Sequence, residues 1–115
     1  MESYFEELPI AITVCDADGK ILDMNQRSAD VNNRGSKNII GNNLLDCHPE
    51  PARTKLQGLL DQQQQNISTI EKNGVKKLIY QTPWYRDGQF AGLVELSMEI
   101  PFEMPHYVRQ PKPQQ

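Results

Sequence analysis

Cys47, His48 and Pro49 stand in succession just ahead of Pro51, whose fixed φ suits the first turn of a helix. A thiol near a helix N-terminus can have a lowered pKa and act as a redox sensor, and an imidazole can ligate a metal or haem iron. A structural reading stands beside these: Cys47 as a small buried hydrophobe, His48 as a loop residue bonding a carbonyl, and Pro49 fixing the approach to the helix. Adjacency does not make Cys47 and His48 a catalytic pair, because a nucleophile and its base need a set geometry and usually a third, orienting group. The carboxylates Asp16, Asp18, Asp46, Glu50, Glu95 and Glu99 fall in turns or at strand positions expected to face solvent, and none is spaced for acid–base work. The sequence has no phosphate-binding glycine motif and no zinc-ligand pattern, so the chain is expected not to be an enzyme.

Composition narrows the partners. A chain of 115 residues suits one domain with a modest core. Lys and Arg total 12 against 15 Asp and Glu, and the net charge of -3 offers no general attraction to nucleic acid or anionic membranes. Glu2, Glu6 and Glu7 stand where a secretory signal would carry basic residues, and no apolar run approaches membrane-spanning length. A cytoplasmic protein is expected, with Cys15 and Cys47 as reduced thiols rather than a disulfide framework.

The elements that would position these residues alternate in a clear order. Tyr4, Phe5 and Leu8 share a face of a short helix over 2–8, ended by Pro9. Strands are expected at 10–15 and 21–24, joined by an acidic turn ending in Gly19, and Asn25 is suited to cap a helix over 26–31. A polar stretch to Asn43 follows. Leu56, Leu59 and Leu60 then form one stripe of a helix over 51–64, weakened by Gly58. Strands at 66–72, 76–85 and 89–100 are joined by Asn73-Gly74 and Asp87-Gly88, both strong hairpin signals. Val94, Leu96 and Met98 alternate with Glu95, Ser97 and Glu99, giving one apolar and one mixed face. The pattern predicts an α+β fold, a five-stranded antiparallel sheet with helices covering one face. Residues 1–100 are read as one domain and 101–115 as a Pro-rich extension. Pro101, Pro105, Pro111 and Pro113 prevent regular structure there, while Phe102, Met104, His106, Tyr107 and Val108 are apolar enough to pack on the outer sheet face or a neighbouring subunit.

The hairpin from Ile12 to Asn25, with its Asp16-Ala17-Asp18-Gly19-Lys20-Ile21 turn, resembles the opening of a PAS domain. The segment from Gly41 to Glu50, containing Cys47-His48-Pro49, and the hairpin from Tyr85 to Glu95 resemble those of a bacterial PAS subgroup, and the similarity covers roughly 6–100. The resemblance implies strand order 2-1-5-4-3 and a sensory, signal-transduction module. An internal pocket would be lined by Ile12, Val14, Tyr80, Val94, Leu96 and Met98 from the sheet and by Leu56, Leu59 and Leu60 from the helix, closed by Cys47 and His48. These positions are also what any core would use. Haem is a candidate cofactor through His48. Flavin is disfavoured, since the reactive Asn-Cys-Arg-Phe-Leu type segment of light-sensing relatives is absent, and Cys47 is not followed directly by proline as in a common haem-regulatory motif. The alternative to a module that binds a small ligand in this pocket is a ligand-free dimerising adaptor, a homodimer with Tyr4, Phe5, Leu8 and Leu93 as apolar surface. Either module would signal to a separate effector protein, and Trp84 is expected in the core or an interface.

Overall fold

Two dipeptides fix the larger half of the sheet. Asn73 and Gly74 have φ of 54° and 76°, and Asp87 and Gly88 have φ of 51° and 77°, the doubly positive pattern that matches the twist of a tight hairpin. They join β3 (Asn66–Lys72), β4 (Val75–Arg86) and β5 (Gln89–Ile100) into an antiparallel meander. The computed structural model describes residues 1–112; Pro113, part of the expected C-terminal extension, lies outside them.

The smaller half is the hairpin of β1 (Ala11–Asp16) and β2 (Ile21–Met24). Asp16 closes its turn by accepting the backbone N–H groups of Asp18 at 3.0 Å and Lys20 at 2.9 Å on Oδ1. β1 then pairs with β5, the last strand, so the order is β2-β1-β5-β4-β3 with every neighbour antiparallel. The α+β arrangement expected from the sequence is thus present. Besides α1 (Ser3–Glu6), the helices are α2 (Gln26–Asn33) and α3 (Ala52–Gln62), both inserted between β2 and β3. A 3-10 turn over Leu44–Cys47 occupies what reads from sequence as loop; its short length leaves no periodic signal.

The core lies where these helices meet the β1–β5 pair. Cys15, Ile21 and Leu93 from the sheet pack with Leu44 and Leu45 and with Leu56, Leu59 and Leu60 of α3. β5 approaches β1 closely at Gly92, where a Cβ would lie 2.0 Å from the Cys15 carbonyl oxygen, so only glycine fits. The same carbonyl accepts the indole N–H of Trp84 at 2.9 Å, which ties β4 across β5 to β1.

Asn25 joins the layers. It is fully buried, and its Oδ1 accepts from the backbone N–H of Ser28 at 3.0 Å, the expected helix cap, and from that of Ile12 at 3.0 Å. Its Nδ2 donates to the carbonyls of Phe5 at 2.9 Å and Ile10 at 2.8 Å. Replacing it by Ala removes the cap and leaves buried backbone groups unpaired. Asn25→Ala should therefore cost roughly 3 kcal/mol, a large part of a small domain's margin, in a urea titration. A loss below about 1 kcal/mol would show that water or backbone rearrangement replaces the carboxamide. In the same titration Gly58→Ala should gain about 0.5–1 kcal/mol, because a Cβ at this helical position meets nothing within 4 Å.

Candidate functional site

Strand alternation splits the residues singled out in the sequence between two faces. Cys15 pairs with Leu93 and both enter the core, so this row of the sheet faces α2 and α3. Their chain neighbours point the other way. Ile12 pairs with Leu96 and Val14 with Val94, and these four side chains line an outer groove together with Phe5 of α1. Tyr80 pairs with Leu96 and Leu78 with Met98, which places Tyr80 and Met98 on the same outer face. Leu56 and Leu60, by contrast, are core residues of the inner layer.

The single internal pocket expected from these residues is therefore corrected to two separate concavities. Val94, Leu96 and Met98 form the apolar face of β5, but the helical layer covers the mixed face. The physical reason is a register that seats Cys15 and Leu93 under α3, after which parity carries Val94 and Leu96 outward. Leu93 is corrected likewise. It is 2 % exposed and offers no surface for a dimer. Tyr4 and Phe5, at 68 % and 42 % exposure, do offer one, while Leu8 is half-buried.

The outer groove has a volume of about 870 Å³ and is open to solvent. Its floor is apolar, and Glu2 and Asp23 stand at its edge. Its roof is held by polar contacts. Asn25 grips the Phe5 carbonyl, and the Lys37 ammonium donates to the Glu6 carboxylate. That hydrogen bond holds Glu6 below the ordinary carboxyl value of 4.5. A lowered carboxyl pKa means that the pair contributes above the ordinary value and is lost as pH falls through the lowered one.

The inner cleft is smaller and more polar. Cys47 and His48 do meet there, beside Thr13, Asn32, Leu44 and Glu95, around a cavity of about 80 Å³. Glu95 is corrected from a solvent-facing residue to a wall of this cleft: it accepts from Gln81 Nε2 at 2.9 Å, and Gln81 in turn accepts from Asn66 Nδ2 at 3.0 Å. Opposite, the hydroxyls of Thr13 and Ser28 share a hydrogen bond of 2.5 Å, and Asn32 Nδ2 donates to Ser28 Oγ at 3.3 Å. Sequence reading missed this ladder, because each member is an ordinary polar strand or helix residue until the register aligns them. Glu99 also lies on the helix side, facing Arg27 of α2 at 3.7 Å.

Of the remaining carboxylates, Asp46 and Glu50 have structural partners. Asp46 faces Arg53 at 3.3 Å, and Glu50 accepts the Thr54 backbone N–H at 2.8 Å. The Thr54 hydroxyl and N–H together hold the Glu50 carboxyl below its ordinary value. His48 Nδ1 bonds the Leu44 carbonyl at 2.8 Å, the structural role weighed for it. No group of three or more His, Cys, Asp or Glu among the described residues is placed to hold a metal ion. A porphyrin does not fit a space of about 80 Å³, so haem ligation by His48 has no room in this arrangement. The two thiols differ sharply. Burial pushes Cys15 up from the ordinary 9.0, whereas Cys47 is exposed. A thiol reagent should add once to the native protein and twice in urea, with Cys47→Ala abolishing the native adduct; mass spectrometry reads the count. Native labelling of Cys15 would place the core closure in error.

Comparison with known proteins follows the same outline. The chain matches the PAS fold family over residues 5–100. No curated protein matches it. Among solved structures it is similar to a C-terminal domain from Streptococcus mutans, with TM-score 0.66 and 20 % identity over 84 % of this chain and 79 % of that one. The PAS domain of BvgS from Bordetella pertussis gives 0.65 and 13 % identity over 85 % and 82 %. A sensory box sensor histidine kinase from Vibrio cholerae gives 0.65 and 15 % identity over 86 % and 88 %. At these identities the similarity concerns the fold, whose strand order and inserted helices the chain reproduces. With the family match spanning almost the whole sheet and its helices, the chain belongs to the PAS fold family.

Proposed function

We propose that the chain is a sensory and signal-transduction module that acts through protein contacts on its outer sheet face and associates as a homodimer. The carrying observation is the outer groove of Phe5, Ile12, Val14, Val94 and Leu96: an apolar sheet face roofed at one side by a helix of four residues. Solvated apolar surface of this kind is what association buries. The domain would act without a catalytic step, in the cytoplasm, and pass its signal to a separate effector. The sensor histidine kinase and BvgS domains that share the fold support a sensory role by analogy. No helix among the described residues is long and apolar enough to cross a membrane.

A second reading is supported by the inner polar ladder. Thr13, Asn32, Glu95, Cys47 and His48 converge on one cavity, the arrangement of a site for a small polar ligand. Its volume of about 80 Å³ is below the several hundred usual for small-molecule sites, so it suits only a few heavy atoms unless α2 moves outward.

Native mass spectrometry of the freshly purified protein separates the two readings, because it reports subunit number and retained mass together. A ligand-free dimer is expected, weakened at least tenfold by Leu96→Glu, which places a carboxylate on the groove floor with no partner. A strict monomer at high concentration removes the contact reading, and a defined retained mass promotes the inner cleft.

A further inference from the structure

The residues after β5 form the molecule's other large apolar feature. Phe102, Met104, Tyr107 and Val108 are 53 %, 58 %, 75 % and 81 % exposed, and every residue from Pro101 to Lys112 is exposed. No helix or strand holds this segment, and its contact with the sheet at Phe102 is a single hydrogen bond of 3.4 Å from Lys76 Nζ to the Phe102 carbonyl. The arm enlarges the molecule. Its radius of gyration is 16.1 Å, against about 13 Å for a compact chain of this length. Four solvated apolar side chains on one short extended segment are costly surface unless something covers them.

The outer groove has the complementary character. Its floor is aliphatic, from Ile12, Val14, Val94 and Leu96, and its edge carries the carboxylates of Glu2 and Asp23. Glu2 makes no ion pair among the described residues, whereas Asp23 faces the terminal ammonium of Met1 at 3.6 Å. The arm carries Arg109 and Lys112 just beyond Tyr107 and Val108, so apolar residues would meet the floor while cations meet the acidic edge.

Geometry favours a groove on another copy. The arm leaves β5 at Ile100, roughly 13 Å along the strand from Leu96, and its start is held toward β4, where Lys76 Nζ donates to the Phe102 carbonyl, on the side of β5 away from β1. Its own groove lies on the β1 side of β5, lined by Ile12, Val14 and Asp23, and residues 101–112 are exposed throughout rather than seated in it. Extended at about 3.1 Å per residue, residues 101–112 reach up to about 37 Å, enough to cross to a neighbouring domain. From these observations we infer that the outer groove receives the C-terminal arm of a second copy of this chain, with Tyr107 and Val108 on its floor and Arg109 against Glu2. A two-fold pair would exchange both arms, filling both grooves. The inference rests on the homodimer reading and specifies which part of the partner makes the contact.

Sedimentation equilibrium on variants of the 115-residue chain tests it. Tyr107→Asp combined with Val108→Asp changes only exposed arm positions, leaves the fold intact, and should weaken dimerisation at least tenfold. Arg109→Glu should weaken it several-fold, with Glu2→Lys in the same chain restoring it, because each exchanged contact then pairs reversed charges. Mixing the arm double variant with Leu96→Glu should recover a heterodimer, since one intact arm and one intact groove remain on different chains. Should Leu96→Glu unfold, which circular dichroism would show, the arm variant and the charge reversal decide. A wild-type dimer indifferent to both arm changes overturns the exchange while leaving the homodimer standing, by contact of sheet faces. A monomeric wild type overturns both, including a monomer whose arm cross-links to its own groove.

Discussion

Asn25 is the point at which three layers of the molecule are held to one another. Its carboxamide accepts from β1 and α2 and donates to the carbonyls of Phe5 and Ile10, so one planar group satisfies backbone from three segments. Amide geometry leaves little freedom in such an arrangement: both acceptor and donor ends are used, in a position without water access. The direction in which α2 leaves the sheet and the height at which α1 crosses it are therefore set together. The outer groove exists because of this. Without a fixed carbonyl at Phe5, the four-residue helix α1 would have only the Glu6–Lys37 and Met1–Asp23 ion pairs and side-chain contacts to hold it, since helices of that length have little stability of their own.

The sheet distributes polarity in an order opposite to the simplest expectation. A strand reading apolar on one side usually turns that side to the helices. Here the helices cover Cys15 and Leu93 near one end of the β1–β5 pair, while further along the same row stand Thr13, Glu95 and Gln81. Those polar groups have partners, Thr13 in Ser28 of α2 and Glu95 in Gln81, which offsets the cost of their burial. The aliphatic row lies on the outer face, where it is half-buried. The half-buried Val94 and Leu96 would be covered more fully by the proposed contact with another chain.

Local chemistry made much of this legible in the sequence. The two Asx-Gly hairpins, the Asp16 turn, the Asn25 cap and the leucine stripe of α3 depend on residues a few positions apart, and each stands where its residues predict. What sequence did not give depends on register between distant strands. Whether Val14 or Cys15 faces the helices is a question of parity, and both are apolar, so alternation within β1 cannot decide it. The answer lies in the pairing of Cys15 with Leu93, many residues away in sequence, and in the close passage of β1 at Gly92. Once that register is set, Val94 and Leu96 go outward and Glu95 inward. The same cause hid the polar ladder, whose members sit on four strands and one helix.

That parity also links the two concavities mechanically. Thr13 and Glu95 line the inner cleft, and their immediate neighbours Ile12, Val14, Val94 and Leu96 line the outer groove. The strands have no slack between these positions, since successive residues of one extended backbone point to opposite faces. A displacement of β5 that relaxes the Glu95–Gln81 hydrogen bond must move Val94 and Leu96 with it, and β1 follows through its ladder with β5. Close-packed neighbours respond to such shifts in discrete steps rather than by smooth deformation. A ligand in the inner cleft and a partner in the outer groove would therefore act on the same two strands. Whatever binds one face preferentially in a given strand position biases the affinity of the other, by the reciprocity that any coupling free energy obeys.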